Sequence, residues 1–508
     1  MTLAVLTMPR VVVEGDGGPL GALEAGALAS VVVHQALSTP AQCELTFLDP
    51  PSGADVSAAL GPGGSLRVRL PEHEDALFGG EITAIERVYE PDRGRAIRVR
   101  AYDRLHRLRK RGEPRMFLDL TPGDLASELA GAVGLAVDAI GDGPVRARLA
   151  QHRQSDLELL LEVCEQNGLF VHVDDDILRL MTLEGTGQTV SLTLGSTLLE
   201  AAIEANGDPA VRNVSARGWD LARVEPHEAT ADAARTGRTT LAEVPPDLVG
   251  GTGERALLDE RAPDDATALG LAQAELDLRV AGEVVVRGVA LGDPRLRPGC
   301  LVDLSGVDAE FTGGHVVTGA HHTIDRDAGY VTEFTSEPPT PVARPYASVV
   351  TVGEVRSADD EDGLGRVQVV LPSFGDLETG WLEVASVGAG GGKGLVALPD
   401  TGDRVLVLLT HGDPASGGVV LGGLYGAEGP YDSGLEGGSV QRYSLKTAGG
   451  HMIVFDDVEP KIRIEDPTGN YIELGPEFVT VHSAVDLVIE APGRAVRIVA
   501  NSVDFETG

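Results

Sequence analysis

The chain has 508 residues, enough for three or four domains with cores of their own, and sets 41 Lys and Arg against 78 Asp and Glu. Its net charge of −37 repels a phosphate backbone, whose affinity for proteins comes largely from cations, so nucleic acid is not the expected partner. Aromatic residues make up 4% while 42% are apolar and 65 are glycine, a balance that fits many short strands and tight turns rather than disorder.

Cys43, Cys164 and Cys300 lie far apart without a CxxC spacing, so neither a disulfide framework nor a zinc site is expected, and the compartment is read as reducing. The start, MTLAVLTMPRVVVEGDGG, has no basic n-region and no adequate apolar run, and no later segment is long enough to span a bilayer. Synthesis and assembly in the cytoplasm without a signal peptide are the expectation.

The first stretch, about 1–115, alternates as strands in ASVVVHQAL, AQCELTFLD, SLRVRLP, LFGGEITAIERVYE and AIRVRAYD, punctuated by PPSG and GPGG, and reads as a β-barrel. An α/β part follows over about 116–280. Thr121, Pro122 and the row Leu125, Leu129 and Val133 predict a helix stopped by Gly134. Ser155 and Glu158 have capping-box spacing ahead of Leu157, Leu160, Leu161 and Cys164, a second helix that Gly168 ends. LFVHVDDDILRLM then reads as a hairpin. Residues 204–263 are acidic, rich in Ala and Thr and weakly patterned, as expected of a loop-rich connection. A third helix carries Leu269, Ala272 and Leu276 on one side.

Strands return over 281–340 as a second small barrel, and a Pro-rich stretch at 341–348 reads as a stiff linker. Residues 349–426 supply about five strands, the size of a closed OB-fold barrel, and a Gly-rich neck covers 427–460. From 461 to 508 the chain becomes a ladder of short rungs. Ile462 pairs with Ile464, Ile472 with Leu474, Val479 with Val481, Leu487 with Ile489, Val496 with Ile498 and Val503 with Phe505, a period of two that marks half-buried strands. Rungs with two inward side chains each cannot close a core alone, so the ladder demands neighbouring rungs and other chains.

The ladder aside, one basic stretch stands out in this acidic chain, from Arg93 to Arg115, with Arg104, Arg107, Arg109, Lys110 and Arg111 at its centre. It is a solvated strand edge or a contact surface for an acidic protein partner.

Candidate chemistry is sparse. The loop GAGGGKG at 388–394 lacks the first Gly and the Ser or Thr that a nucleotide-binding loop needs, because that hydroxyl holds magnesium. His315, His321, His322 and Asp325 include metal-ligand types, but alternation sends His321 and His322 to opposite faces. The acidic runs at 174–176 and 359–362 lack calcium-loop spacing, and no GxSxG elbow occurs. The expectation is therefore no catalytic residue, no cofactor and no metal. A hydrolase for cell wall or esters on the same scaffold and an OB-fold nucleic-acid binder are the alternatives, the second poorly served by an acidic domain whose stacking candidates are Phe374, Trp381 and Tyr425.

Several blocks in this order resemble the VgrG-type spike proteins of contractile injection systems and their phage-tail relatives. They are FGGEITAIE with RVRAYDRLHRL, then MFLDLTPGDLASELA, QHRQSDLELLLEVCEQNGLFVHV, LRPGCLVDLSG and GGHVVTGAHHTIDRDAGYVTEF. LPDTGDRVLVLLTHGDPASGGVVLGGLYG is similar to the family's OB-domain signature, and GGHMIVFDD with GNYIEL to the start of its triple-stranded β-helix. The resemblance implies a mainly β, multi-domain homotrimer: tail-hub β-barrels with a small helical insert over 1–340, an OB-fold collar, and a C-terminal intertwined trimeric β-helix needle. It implies a structural spike that links an inner tube or its adaptor, within a baseplate, to a PAAR-type tip protein. It also implies possible effector cargo and only transient contact with a target membrane. On that reading Ile462, Ile464, Ile472, Leu474, Val479, Val481, Leu487, Ile489, Val496 and Ile498 form the trimer core, and Val503 and Phe505 face the tip junction. The short ladder favours a phage-tail-like particle over a long-needled secretion spike, and the short neck between Tyr425 and Lys461 leaves no room for an inserted enzyme.

Overall fold

The computed structural model describes residues 8–90, 94–220, 225–260, 262–342, 347–426 and 429–506. Arg93 of the basic stretch and residues 343–346 of the expected linker lie outside them. The chain forms two compact units, Met1–Gly423 and Leu424–Gly508.

In the first unit, strict alternation builds the first barrel. Cys43, Leu45 and Phe47 of strand Thr39–Leu48 pack on Val31 and Val33 of Leu28–Ala36 and on Val99 and Ala101 of Gly94–Tyr102, all fully buried. The adjoining long strand Ala76–Glu90 comes so close to Gly94–Tyr102 that a Cβ on Gly80 would stand 2.3 Å from the Tyr102 carbonyl oxygen. Only glycine fits that point of the FGGEI segment.

The sheet does not stop at the first barrel. Leu28–Ala36 pairs with Gly319–Asp325, which continues through Gly329–Thr335 and Val284–Leu291 to Leu198–Ala205, giving eleven strands in one sheet. A three-stranded sheet of Thr186–Thr193, Cys300–Ser305 and Gly313–Val316 covers that far end around Val190, Leu198, Val286, Val302, Leu304 and Phe334. The second barrel therefore draws in two strands that the sequence reading left in the α/β part. Pairing between residues a hundred positions apart leaves no local trace, which is why 281–340 had looked sufficient.

Between the barrels, both capping boxes form. Thr121 and Asp124 exchange bonds at Pro122–Gly131, and Ser155 and Glu158 do so at Asp156–Glu165, each satisfying backbone N–H groups that a helix start leaves unpaired. Gly134 and Gly168 follow with φ of 78° and 63°. The helices pack Leu125, Leu129, Leu160 and Cys164 onto Leu178 and Leu180 of the expected hairpin. Burial pushes the Cys164 thiol up to about 12, so it is an inert core residue. The hairpin turns at Asp175 and Asp176, both at positive φ, as tight two-residue turns require.

Residues 204–263 differ from expectation. Strands Asn213–Asp220, Glu225–Ala231 and Glu254–Glu260 form a sheet under helix Asp265–Ala281. Its inward side chains are Val214, Ala216 and Ala231, and alanine barely registers in an apolar alternation. The helix buries the row Ala268, Ala272 and Leu276, while Leu269, expected on that face, is 45% exposed. The i, i+4 row wins because small alanines let the helix lie close to the sheet.

Strands Val349–Ser357, Gln368–Leu371, Arg404–Leu409 and Gly418–Gly423 run antiparallel, and mutual backbone bonds between Val367 and Leu382 close the sheet into a small barrel. Val355, Val369, Leu371, Val405, Val407 and Val420 fill it. The GAGGGKG loop is a hairpin turn in which Gly390 and Lys393 exchange backbone bonds. Among the described residues no helix is long and apolar enough to cross a membrane.

Leu276→Ala should lower the unfolding free energy by about 2–5 kcal/mol, and Leu269→Ala by less than about 0.5, in denaturant titrations of otherwise identical proteins. Equal losses would contradict the packing described.

Candidate assembly interface

The second unit is a five-stranded antiparallel meander of Arg442–Lys446, Met452–Asp456, Lys461–Glu465, Tyr471–Leu474 and Val479–His482. Each turn is short and locally specified. Between the third and fourth strands, Asp466 accepts from the Thr468 and Asn470 backbone N–H groups, from the Thr468 hydroxyl and from the Asn470 side-chain amide. The Asn470 amide and Thr468 hydroxyl hold its carboxyl well below the usual carboxylate range.

Such turns fix register, and register decides which side chains share a face. Tyr443 lies opposite Phe455, and Leu445 opposite Ile453. Phe455 then meets Ile462, and Ile453 meets Ile464. The rows continue as Ile462 to Leu474 to Val479, and Ile464 to Ile472 to Val481. Ten apolar side chains, two from each strand, thus form one continuous face. Among the described residues nothing covers it: Ile464 is 47% exposed, Tyr443 62% and Val479 69%.

The opposite face is satisfied from within. Arg463 bonds Glu465 at 2.6 Å and Glu473 at 3.0 Å, and its guanidinium lies 3.9 Å over the Tyr471 ring. Tyr471 stacks on His482 with ring centroids 4.9 Å apart, and Lys461 reaches Glu459 at 2.7 Å. The charged side is closed and the apolar side is open, the reverse of a sheet lying on its own core.

Of the ten expected core residues, Ile462, Ile464, Ile472, Leu474, Val479 and Val481 lie on this face. Leu487, Ile489, Val496 and Ile498 lie beyond His482, as do Val503 and Phe505, on described chain that forms no strand ladder with itself. All six are exposed, Phe505 at 92%. Sequence reading missed Tyr443, Leu445, Ile453 and Phe455, because 427–460 had been taken as a Gly-rich neck. The alternation in RYSLK and MIVFD was the available signal.

The basic stretch is largely spent inside the chain. Arg104 meets Asp176 at 3.4 Å, Arg107 bonds Glu81 through Nε at 2.8 Å, and Arg111 meets Asp156 at 3.3 Å. Arg109 lies over the Tyr102 ring at 5.9 Å. These residues, on the 3-10 helix Arg104–Lys110 and the residue after it, tie the first barrel to the helical insert. Arg107, Arg109, Lys110 and Arg111 remain exposed, but a free cationic patch is not their arrangement.

The other candidates separate as alternation requires. His322 is fully buried between Thr332 Oγ1 and the Tyr330 hydroxyl, and His321 is half-buried on the other face. Asp174 pairs with Arg297, Asp175 with Arg67 at 3.0 Å, and Asp360 with Arg366 at 2.7 Å. Among the described residues no group of three or more His, Cys, Asp or Glu could hold a metal ion.

Two family models match. Residues 11–326 match the Alg8 N-terminal domain, and residues 351–425 match the type VI secretion system/phage-baseplate injector OB domain. Similar solved structures include the 43 kDa tail protein of prophage MuSo2 from Shewanella oneidensis, at 14% identity and a TM-score of 0.49, covering 64% of this chain and 97% of that one. Another is an Escherichia coli type VI secretion component described as structurally similar to bacteriophage T4 tail proteins gp27 and gp5, at 14% identity, TM-score 0.48, and 78% and 96% coverage. A third is prophage tail protein gp18 of Listeria monocytogenes, at 12%, 0.42, and 64% and 93%. No match to a curated protein was found.

Asn470→Ala should raise the Asp466 pKa toward the ordinary carboxylate value in an NMR carboxyl titration. The sign follows from linkage: a depressed folded value gives stability present above about pH 4 and lost as pH falls through the folded value. An unchanged Asp466 titration would remove Asn470 as its main partner.

Proposed function

This chain belongs to the Alg8 N-terminal domain family over residues 11–326, and from its injector OB domain and the exposed apolar face of its second unit we propose that it is the homotrimeric central spike of a contractile injection particle. The role is structural and non-catalytic. Residues 1–340 form the hub that meets an inner tube or its adaptor within a baseplate, and the injector OB domain at 351–425 forms a collar. Residues 442–508 form a needle capped by a tip protein near Val503 and Phe505. Assembly takes place in the cytoplasm, and sheath contraction drives the needle through a target envelope, with any cargo carried along.

One observation carries this reading: the uncovered apolar face of the meander, continued by exposed apolar pairs to Phe505. Fully burying a large apolar side chain is worth about 1.5–3 kcal/mol. Ten that are already partly shielded supply on the order of 10 kcal/mol per chain, enough to offset the association cost of about 4–15 kcal/mol. Three identical chains are the occupant that the hub resemblance implies, and their faces close on one another as a prism. Interchain pairing also removes the open edge at Val479–His482, which would otherwise invite aggregation.

Light scattering of the purified chain should give a trimer, and Ile472→Asp with Leu474→Asp should give a monomer that keeps the circular dichroism of the folded hub. A trimer of normal stability in the double variant, or a monomeric wild type, would sink the proposal.

A further inference from the structure

Among the described residues, the eleven-stranded sheet holds two barrels together through a single ladder, Leu28–Ala36 against Gly319–Asp325, from Ser30 opposite Asp325 to Ala36 opposite Gly319. On the face turned away from both cores, His34 stands directly across from His321, edge to face, with ring centroids 5.8 Å apart. We propose that this pair makes the seam between the barrels acid-labile: protonating both imidazoles sets like charges directly opposite each other across the one ladder that joins them.

Across from His34 on the other side is Gln42, which is uncharged, and the nearby Glu44 is taken by Arg100 at 3.2 Å. Across from His321 is Glu333. Farther along the same cleft, of about 770 Å³, Arg287 is held by Glu204 at 3.1 Å and Glu337 at 2.7 Å, with Glu200 at its far wall. Burial, and then the neighbouring His321, hold the His34 pKa below the usual histidine value. A histidine lowered in the folded state binds its proton first in the unfolded chain. Ladder stability is therefore full above about pH 6.5 and falls as pH drops through that value.

The neighbouring His322 points the other way, into the second barrel, where burial holds it down to about 3. Tyr330 and Thr332 bond it. The charges nearest it are already paired, Asp293 with Arg295 at 2.6 Å and Arg297 with Asp75 at 2.9 Å. His322 adds an acid sensitivity of its own, which the test must hold constant.

Hydrogen exchange of the full-length protein at pH 7.5 and pH 5.0, corrected for intrinsic rates, tests the proposal in peptides covering 28–36 and 319–325. The pair His34→Gln and His321→Gln keeps His322, lies on the outer face and leaves both cores intact, so the difference isolates the histidine pair. In the wild type the seam should open about fivefold more at pH 5.0 relative to the Arg404–Leu409 strand, and the double variant should lose most of that increment. Equal acid sensitivity in wild type and variant, or a wild-type seam no more sensitive than the reference strand, would overturn it.

Discussion

The account rests on the alternation of a β-strand, which sends successive side chains to opposite faces. In the second unit the sequence assigns apolar residues to one face of five consecutive strands, while the other face is mostly charged or hydrogen-bonding with Met452 and Val454 among them. Internal ion pairs and the Arg463–Tyr471–His482 stack hold the polar face, so register cannot slip by one residue without burying those charges. The apolar face is left as a surface through which the segment can gain its missing core.

The first unit is built on the opposite plan. Its barrels bury their own apolar faces, and charges between the first barrel and the helical insert are paired in bridges such as Arg111 to Asp156 and Arg107 to Glu81. A first unit that buries its own cores thus contrasts with a second whose sheet leaves its apolar face open. The continuous sheet through Leu28–Ala36 and Gly319–Asp325 joins the two barrels by direct strand pairing.

What could be read beforehand follows the range of the interaction. The capping boxes at Thr121 and Ser155, the Asp175–Asp176 turn and the strand pairs from Ile462 to Val481 are set by neighbours within a few residues, and the sequence displays them. The recruitment of Thr186–Thr193 and Leu198–Ala205 into the second barrel depends on partners a hundred residues away. The sheet around Val214 and Ala216 was hidden because alanine carries little apolar signal. The basic stretch shows the same limit: a run of cations is visible in sequence, while the carboxylates of Glu81, Asp156 and Asp176 that absorb it are brought there by the fold. At the interface itself, Tyr443, Leu445, Ile453 and Phe455 were legible by alternation and were obscured by the glycines around them.

The most direct measurement of the central claim is an electron cryo-microscopy reconstruction of the full-length protein at side-chain resolution. The account predicts threefold symmetry, with Ile464 and Ile472 of three chains facing a common axis and Arg463 and Glu473 on the outside. A reconstruction with Ile464 and Ile472 facing solvent, or with no threefold axis through residues 442–482, would contradict it.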